Sequence, residues 1–479
     1  MKSWPRKSLS VIALALTMIW TGDAVAQKLT KQRLVVITDI GNEPDDSQSM
    51  VRLMLYSNQI DIEGLIASTS IHQKSRVSPD LIRRVIKAYG KVQSNLLSHE
   101  PGFPTAQHLM SIVKSGLPVY GMGAVGKGKD SEGSEWLIRM LEKSDSRPLW
   151  VTVWGGPNVL AQALWKIRQT KSAEEAKRLV SKLRVYTISD QDNSGPWIRK
   201  NFSGLFYIVS PGKYDESTWQ GIMKVVPGLD NEVFSNEWLK KNIQEGHGPL
   251  GAVYPDIAFG MEGDSPSWMY LISNGLNAPE HPNWGSWGGR YELYKPKFDS
   301  TKRWIVPLEE ETRPIWTNAN DEFIPRIPGK YGRSIVRDTG DYKGNQVTVY
   351  RWRENFQNDF AARMSWCNTS YKNANHPPIV ILRSPQLITV KSGETFSLDG
   401  SGSYDPDGDG LSYFWFQYPE AGTYKRNVGL FPENIMTIHD IKAPDVDSPQ
   451  TIHFILQVTD NGTPRLTRYN RVIVTVIPK

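Results

Sequence analysis

The chain has 479 residues, a formal net charge of +6 and a pI of about 9.0. With 39% hydrophobic residues it is too apolar for a disordered chain, and no block of five or more Lys/Arg gathers the charge into a nucleic-acid groove. The single cysteine, Cys367, excludes an intrachain disulfide framework but not export, and its simplest reading is a buried thiol.

Export is what the N-terminus implies. Lys2, Arg6 and Lys7 precede an uncharged apolar run over residues 9–20, and Ala24-Val25-Ala26 offers a small-x-small cleavage site. This is the pattern of a secretory signal peptide, residues 1–26, cleaved to leave Gln27 first. The run is shorter than the roughly 20 residues needed to cross a bilayer, and no later stretch is long enough. The expectation is a periplasmic or secreted protein with no stable membrane span after cleavage. No Walker or Rossmann glycine loop is present, and the compartment disfavours ATP or NAD dependence.

Residues 34–38 form a short β-branched run, read as a buried strand. Residues 46–56 carry apolar side chains at helical spacing, 60–67 read as a strand and 79–89 as a helix. Strands follow at 149–153, 183–188 and 205–209, with a helix beginning at Asn158. Alternating strands and helices predict an α/β fold with a mainly parallel sheet, whose ligands sit beyond the carboxyl ends of the strands. From about residue 248 to 366 periodicity is lost and Trp becomes frequent, which predicts irregular structure ending in a helix over 354–366. His376-Pro377-Pro378 marks a linker. Beyond it short runs at 379–382, 387–390, 395–398, 412–416, 451–459 and 471–477 predict an immunoglobulin-like β-sandwich over 376–479, leaving 27–375 as the α/β domain.

The sharpest chemical signal is Thr38-Asp39-Ile40-Gly41-Asn42-Glu43-Pro44-Asp45-Asp46, with four carboxylates in eight residues directly after a strand. Such carboxylates repel unless a cation or proton offsets the repulsion, and an oxygen-only set favours calcium, then magnesium. A helix N-terminus would also accept Asp45 and Asp46, but explains only one or two of the four. Three further segments fall at strand ends or caps. They are Gly155-Gly156-Pro157-Asn158 (a turn, or close backbone approach to a ligand), Ser189-Asp190-Gln191-Asp192-Asn193, and Glu262-Gly263-Asp264, where Asp264 is a metal ligand or a cap. In the sandwich, the loop from Asp405 to Asp409 is either a calcium loop or an ordinary turn; it lacks the terminal Glu of an EF-hand.

The strand followed by Asp39-x-Gly41 and Asp45-Asp46 resembles the acidic signature of nucleoside hydrolases, and Gly156 to Leu164 resembles that family's Gly-Pro-Leu-Thr-Asn segment. With Gly133-Ser134-Glu135, Glu262-Gly263-Asp264, the run from Trp284 to Arg290, the run from Phe356 to Arg363 and the C-terminal strands, the chain resembles the bacterial cellulose-binding-protein family. That family combines a nucleoside-hydrolase-like domain with an immunoglobulin-like one.

The resemblance implies a calcium ion held by aspartates and a backbone carbonyl, gripping sugar hydroxyls. It implies Asp39 as ligand and general base, Asp46 as bridging ligand, Asp45 on a sugar hydroxyl, Asn158 at the carbonyl-donating position and Asp264 as the distant ligand. The departures are a loop two residues longer, with Glu43 free to ligate or point into the site, and Gly263 where a proton-donating histidine often stands. They imply a retained sugar half and a rebuilt leaving-group half. Candidates for the rebuilt side are His72, Asp192, Asn193, Glu262, Trp284, Trp287 and Arg290, with Glu135 a further acid. Each Trp is equally a core residue, and His72 equally structural. The expected function is a calcium-dependent glycoside hydrolase acting on a polysaccharide or oligosaccharide, a furanoside among the options. The alternative is a non-catalytic carbohydrate-binding protein.

Overall fold

Seven of the eight strands in the main sheet run parallel, as uninterrupted β-branched runs buried on both faces require. A computed structural model describes residues 31–299, 301, 306, 309–328, 334–336 and 342–479; the expected signal peptide lies outside the described residues. The strands are β1 (Gln32–Thr38), β2 (Ile60–Ala67), β3 (Val113–Ser115), β4 (Leu149–Val153), β5 (Leu183–Thr187), β6 (Phe206–Val209), β7 (Tyr291–Tyr294) and β8 (Ile315–Asn318). Their order is β3-β2-β1-β4-β5-β6-β8-β7, with only β7 antiparallel. The order in which strands are added reverses between β1 and β4, so the crevice at the carboxyl ends of these two parallel strands is the topological switch point.

Side chains alternate across the sheet. Leu34 and Val36 of β1 join one core, with α1 (Asp45–Leu55) and α2 (Pro79–Tyr89); Val35 and Ile37 join the other, with α3 (Glu132–Glu142) and α4 (Asn158–Thr170). Helix α5 (Ser194–Asn201) follows β5, α6 (Ser265–Met269) is a single turn, and α7 (Arg353–Ser365) closes the α/β part. Among the described residues no helix is long and apolar enough to cross a membrane.

The C-terminal strands are β9 (Leu387–Lys391), β10 (Thr395–Asp399), β11 (Leu411–Gln417), β12 (Thr437–Lys442), β13 (Gln450–Asp460) and β14 (Thr467–Ile477). They form a four-stranded sheet, β9-β14-β13-β11, facing the pair β10-β12 across an apolar core around Trp415, Phe454 and Val474. Strand β12 escapes the sequence pattern because a bulge breaks its alternation. Ile438 and Ile441, three apart, both point inward, with Asp440 between them at φ 54°. Residues 379–382 form no strand; Ile379 alone bridges to Tyr404. In the Asp405 loop, Asp405 Oδ1 accepts from the amides of Asp407 and Asp409, while Asp407 accepts from the amide and ring of His376. The loop forms a turn that fastens the linker, and oxygens of Asp405, Asp407 and Asp409 lie within 4.8 Å of one another.

The Trp-rich region is not a loose cover. It supplies β7 and β8, and its indoles cement the α/β part to the sandwich. Trp287 is fully buried against Phe356 and Tyr469, and Trp352 packs on Phe416, Tyr418 and Tyr469. Trp284 stacks on His281 at 3.9 Å and meets His453 edge-on. The expected sugar-facing role for Trp284 and Trp287 is therefore corrected: both are packing residues. Gly275, at φ 86°, lets the backbone of Tyr469 close in, since a Cβ there would lie 1.8 Å from its carbonyl oxygen. Arg290 is likewise buried, bonded to Asp321 at 2.6 Å and Glu292 at 2.7 Å.

Two buried polar nodes fix the same junction. Asp359 of α7 accepts from Arg468 of β14 at 2.7 Å and from Tyr56 at 2.6 Å, with Arg363 at 3.3 Å. Burial alone would raise its carboxyl, but Arg468 and Arg363 hold it below the usual range. Arg471 donates to the carbonyls of Leu276, Trp284 and Gly285 and to His453 Nδ1 at 3.0 Å. Asp359→Ala strands two buried guanidinium groups and should lower stability by about 3–5 kcal/mol in denaturant titration. Burial and the charge of Arg471 lower His453 from 6.5 to about 3. Below pH 6.5 the unfolded chain takes a proton that the folded chain refuses, so this contribution is full above pH 6.5 and declines toward pH 3. His453→Gln should flatten the dependence of the thermal midpoint on pH across that window.

Candidate functional site

The acidic loop sits at the switch point because β1 ends at Thr38 and α1 begins at Asp45. Gly41 takes φ 104° to make the turn. Asp45 and Asp46 open α1, where the helix N-terminus favours negative charge, and Asp45 Oδ1 accepts from the amide of Asp46. Thr38 Oγ1 donates to Asp46 Oδ1 and accepts from the amide of Ile40, tying strand end to helix start. Gln73 Nε2 donates to the carbonyl of Asp39 at 3.1 Å, and Arg76 to that of Gly41 at 2.7 Å.

Oxygens of Asp45, Asp46 and Asp264 lie within 4.8 Å of one another. Asp264 is brought in by the segment before α6, and its Oδ2 is buried with no hydrogen-bond partner among the described residues. Burial and mutual repulsion raise all of these groups. Asp45 reaches about 7 through burial, Asp39 and Glu43. Asp46 and Asp264 rise well above the carboxylate range, through burial and then the charges of their acidic neighbours. Asp39 is not part of the triad, although its charge presses on all three. Burial pushes it up to about 6 against a hydrogen bond from Ser70. Glu43 stands half-buried at the rim and adds its charge to the same groups. An all-oxygen donor set, a buried orphan oxygen and uncompensated repulsion together fit a hard divalent cation.

Gly155 and Gly156 are the other wall. A Cβ at Gly155 would come within 2.6 Å of Asp39 Oδ1, and one at Gly156 within 2.2 Å of Asp192 Oδ2. Asp192 is buried, accepts from Ser194, and is raised to about 6, mainly by burial. Its Oδ2 lacks a partner among the described residues. Asn193 Oδ1 accepts from the amide of Met122 and so holds the turn at Gly121.

Several expected roles are corrected. Asn158 bonds Ser68, Thr69 and Val119 through its side chain and, inside α4, turns its carbonyl along the helix axis. It braces a loop and offers no ligand to the triad. Glu262 is fully buried in an ion pair with Arg52 at 2.7 Å and accepts from Tyr254 and Ser265. These contacts hold its backbone at φ 47° and thereby aim the next residues. Glu135 pairs with Lys166, and Asp190 with Arg199. Arg290, Trp284 and Trp287 belong to the junction described above.

The missing histidine has a steric explanation. A Cβ at Gly263 would lie 2.9 Å from the ring of Trp219, which occupies that space. Trp219 meets Tyr214 edge-on at 5.5 Å, and Tyr214 Oη lies 3.1 Å from Nε2 of the exposed His72. Burial and then the charges of Asp39, Glu43, Asp45 and Asp264 raise the Tyr214 hydroxyl, so it stays protonated beside the carboxylates. Sequence reasoning named His72 but missed Tyr214 and Trp219. Their signal was position: both follow the carboxyl end of β6.

Gly155→Ala should overpack Asp39 and cost about 1–3 kcal/mol. Were the triad to hold calcium, a hundredfold excess over its Kd would stabilise the wild-type protein by about 2.7 kcal/mol and Asp46→Asn far less, read as thermal midpoints.

Residues 33–291 match the nucleoside hydrolase-like domain of cellulose-binding Sde182, and residues 395–476 match the C-terminal domain of cellulose-binding protein Sde0182. A solved structure of a nucleoside hydrolase-related hypothetical protein from Saccharophagus degradans, associated with carbohydrate metabolism, is 35% identical. It superposes with a TM-score of 0.77 over 93% of this chain and 100% of that one. The effector proteins XOO4466 and XopQ, the latter solved with adenosine diphosphate ribose, are 9% identical with TM-scores of 0.32 and 0.29; each match covers 60% of this chain and 88% of theirs. No curated protein matches. The chain belongs to the cellulose-binding Sde182 family, a carbohydrate-associated group built on a nucleoside hydrolase-like domain and a C-terminal β-sandwich.

Proposed function

We propose that the switch-point site is a calcium-dependent glycoside hydrolase centre, acting outside the cytoplasm on a polysaccharide or oligosaccharide, furanosides included. The observation that carries this reading is the buried, unpartnered Asp264 Oδ2 beside the raised carboxyls of Asp45 and Asp46. Asp45, Asp46 and Asp264 would hold the ion. Bound calcium would supply positive charge that orients sugar hydroxyls and favours deprotonation of water.

The remaining chemistry belongs to the chain. Asp39, raised to about 6, takes a proton from the attacking water near neutral pH. The surrounding carboxylates favour the positive charge that develops on the sugar ring. Tyr214, protonated and paired with His72, is placed to donate to the departing oxygen, and His72 reaches solvent to restore that proton. Glu43 bonds a substrate hydroxyl at the rim.

Release of reducing sugar from a panel of polysaccharides, furanosides and nucleosides tests this. Asp39→Asn should lower kcat by about 10²–10⁴. Asp46→Asn should abolish both turnover and the calcium response, and Tyr214→Phe should slow turnover. No release by the wild type from any member would sink the enzyme reading. The second reading, a non-catalytic cellulose-binding protein, is favoured by the family's description. Retained binding without release would establish it.

A further inference from the structure

A groove of about 860 Å³ runs between the α/β part and the sandwich, and a depression of about 430 Å³ continues it along β11, sharing Phe414, Phe416, Gln417 and Lys425. No residue of the acidic site lines either one. The volume suits a ligand of several rings.

The sandwich wall is the outer face of the four-stranded sheet. Trp415 points into the sandwich core, so its neighbours Phe414 and Phe416 point out, with ring centroids 5.6 Å apart and planes 28° from parallel. Register sets Gln457 opposite Phe414 and Thr459 opposite Ser412. The facing wall presents Asn355 and Asn358 from α7, and the Asn358 amide makes no hydrogen bond among the described residues. The lining carries four basic residues, Arg290, Arg351, Lys425 and Arg465, and four acidic ones, Glu292, Glu322, Glu354 and Glu420. Arg290 is paired with Glu292, and Arg351 with Asp321.

A balanced lining does not select an anion such as nucleic acid, nor a cation. Near-parallel aromatic faces flanked by amides and hydroxyls complement a neutral ring that is apolar on its faces and polar at its rim. We propose that this groove is a second carbohydrate site, for a neutral glucan strand, separate from the acidic centre. It rests on the family's carbohydrate association and not on catalysis.

The test is calorimetric titration of the purified full chain with cellohexaose, beside retention on swollen cellulose. Phe414→Ala should weaken both about tenfold, as loss of one aromatic contact predicts, and Phe414→Trp should restore them. Gln457→Ala should weaken them without touching a ring. Chelation of divalent cations should leave binding intact while removing any hydrolysis. Undiminished binding by Phe414→Ala and Gln457→Ala, loss of binding on chelation, or no glucan binding by the wild type would each overturn the groove. Should Phe414→Ala lose its thermal midpoint, Gln457→Ala decides. Hydrolysis in the release assay is judged separately, so either reading fails alone.

Discussion

Like-charge repulsion inside a buried crevice is the constraint around which the α/β part is arranged. Asp39, Asp45, Asp46 and Asp264 come from three places: the end of β1, the start of α1 and the turn before α6. Among the described residues none of them has an ion pair with a basic side chain; burial raises all four, Asp39 adds to Asp45, Asp39 and Asp45 add to Asp46, and all three add to Asp264. A fold that only needed stability would put a lysine or arginine there. Arginines are available nearby, yet Arg52 is paired with Glu262 and Arg199 with Asp190. The arrangement therefore neutralises acids around the site and leaves the central ones to a cation or to protons.

The second organising element is the junction with the sandwich. Arg468 and Arg471 of β14 reach into the α/β part, one to a carboxylate and one to three carbonyls. Buried ionic contacts add little net stability over apolar packing, but removing one partner is costly, so they enforce a single docking geometry. The indoles of Trp287 and Trp352 fill the space between. A module fastened this way is no tethered appendage, and the groove beside it has walls from both parts with fixed spacing.

Much of this was legible in the sequence, for physical reasons. Strands buried on both faces read as unbroken apolar runs, so β1, β2 and β4 stand where the composition placed them. The acidic residues were legible because they follow a strand. Strand β12 was hidden by its bulge, and β7 and β8 by the surrounding glycines and prolines. Trp284 and Trp287 could not be assigned, because an indole at a core and one at a sugar site have the same composition; only the position of Tyr469 and Arg471, nearly two hundred residues away, decides. Glu262 misled for a related reason: an acid beside a site acid is read as functional until its arginine is located.

Gly263 and Trp219 bear on what can leave the site. A side chain at 263 would collide with the ring of Trp219 and come up against Asp45. Here Trp219 fills that volume, and the Tyr214 hydroxyl lies against His72, which is exposed. In the proposed reaction the sugar would meet the buried acidic carboxyls and the leaving group the solvent-exposed side at His72. A closed end can select a small base by its hydrogen-bonding edge, since buried polar groups left unpaired penalise the wrong ligand. An open end selects little, but it lets a chain run out of the site. For the reaction proposed above, such an end would suit a glycosidic bond within a longer saccharide better than the bond to a nucleobase.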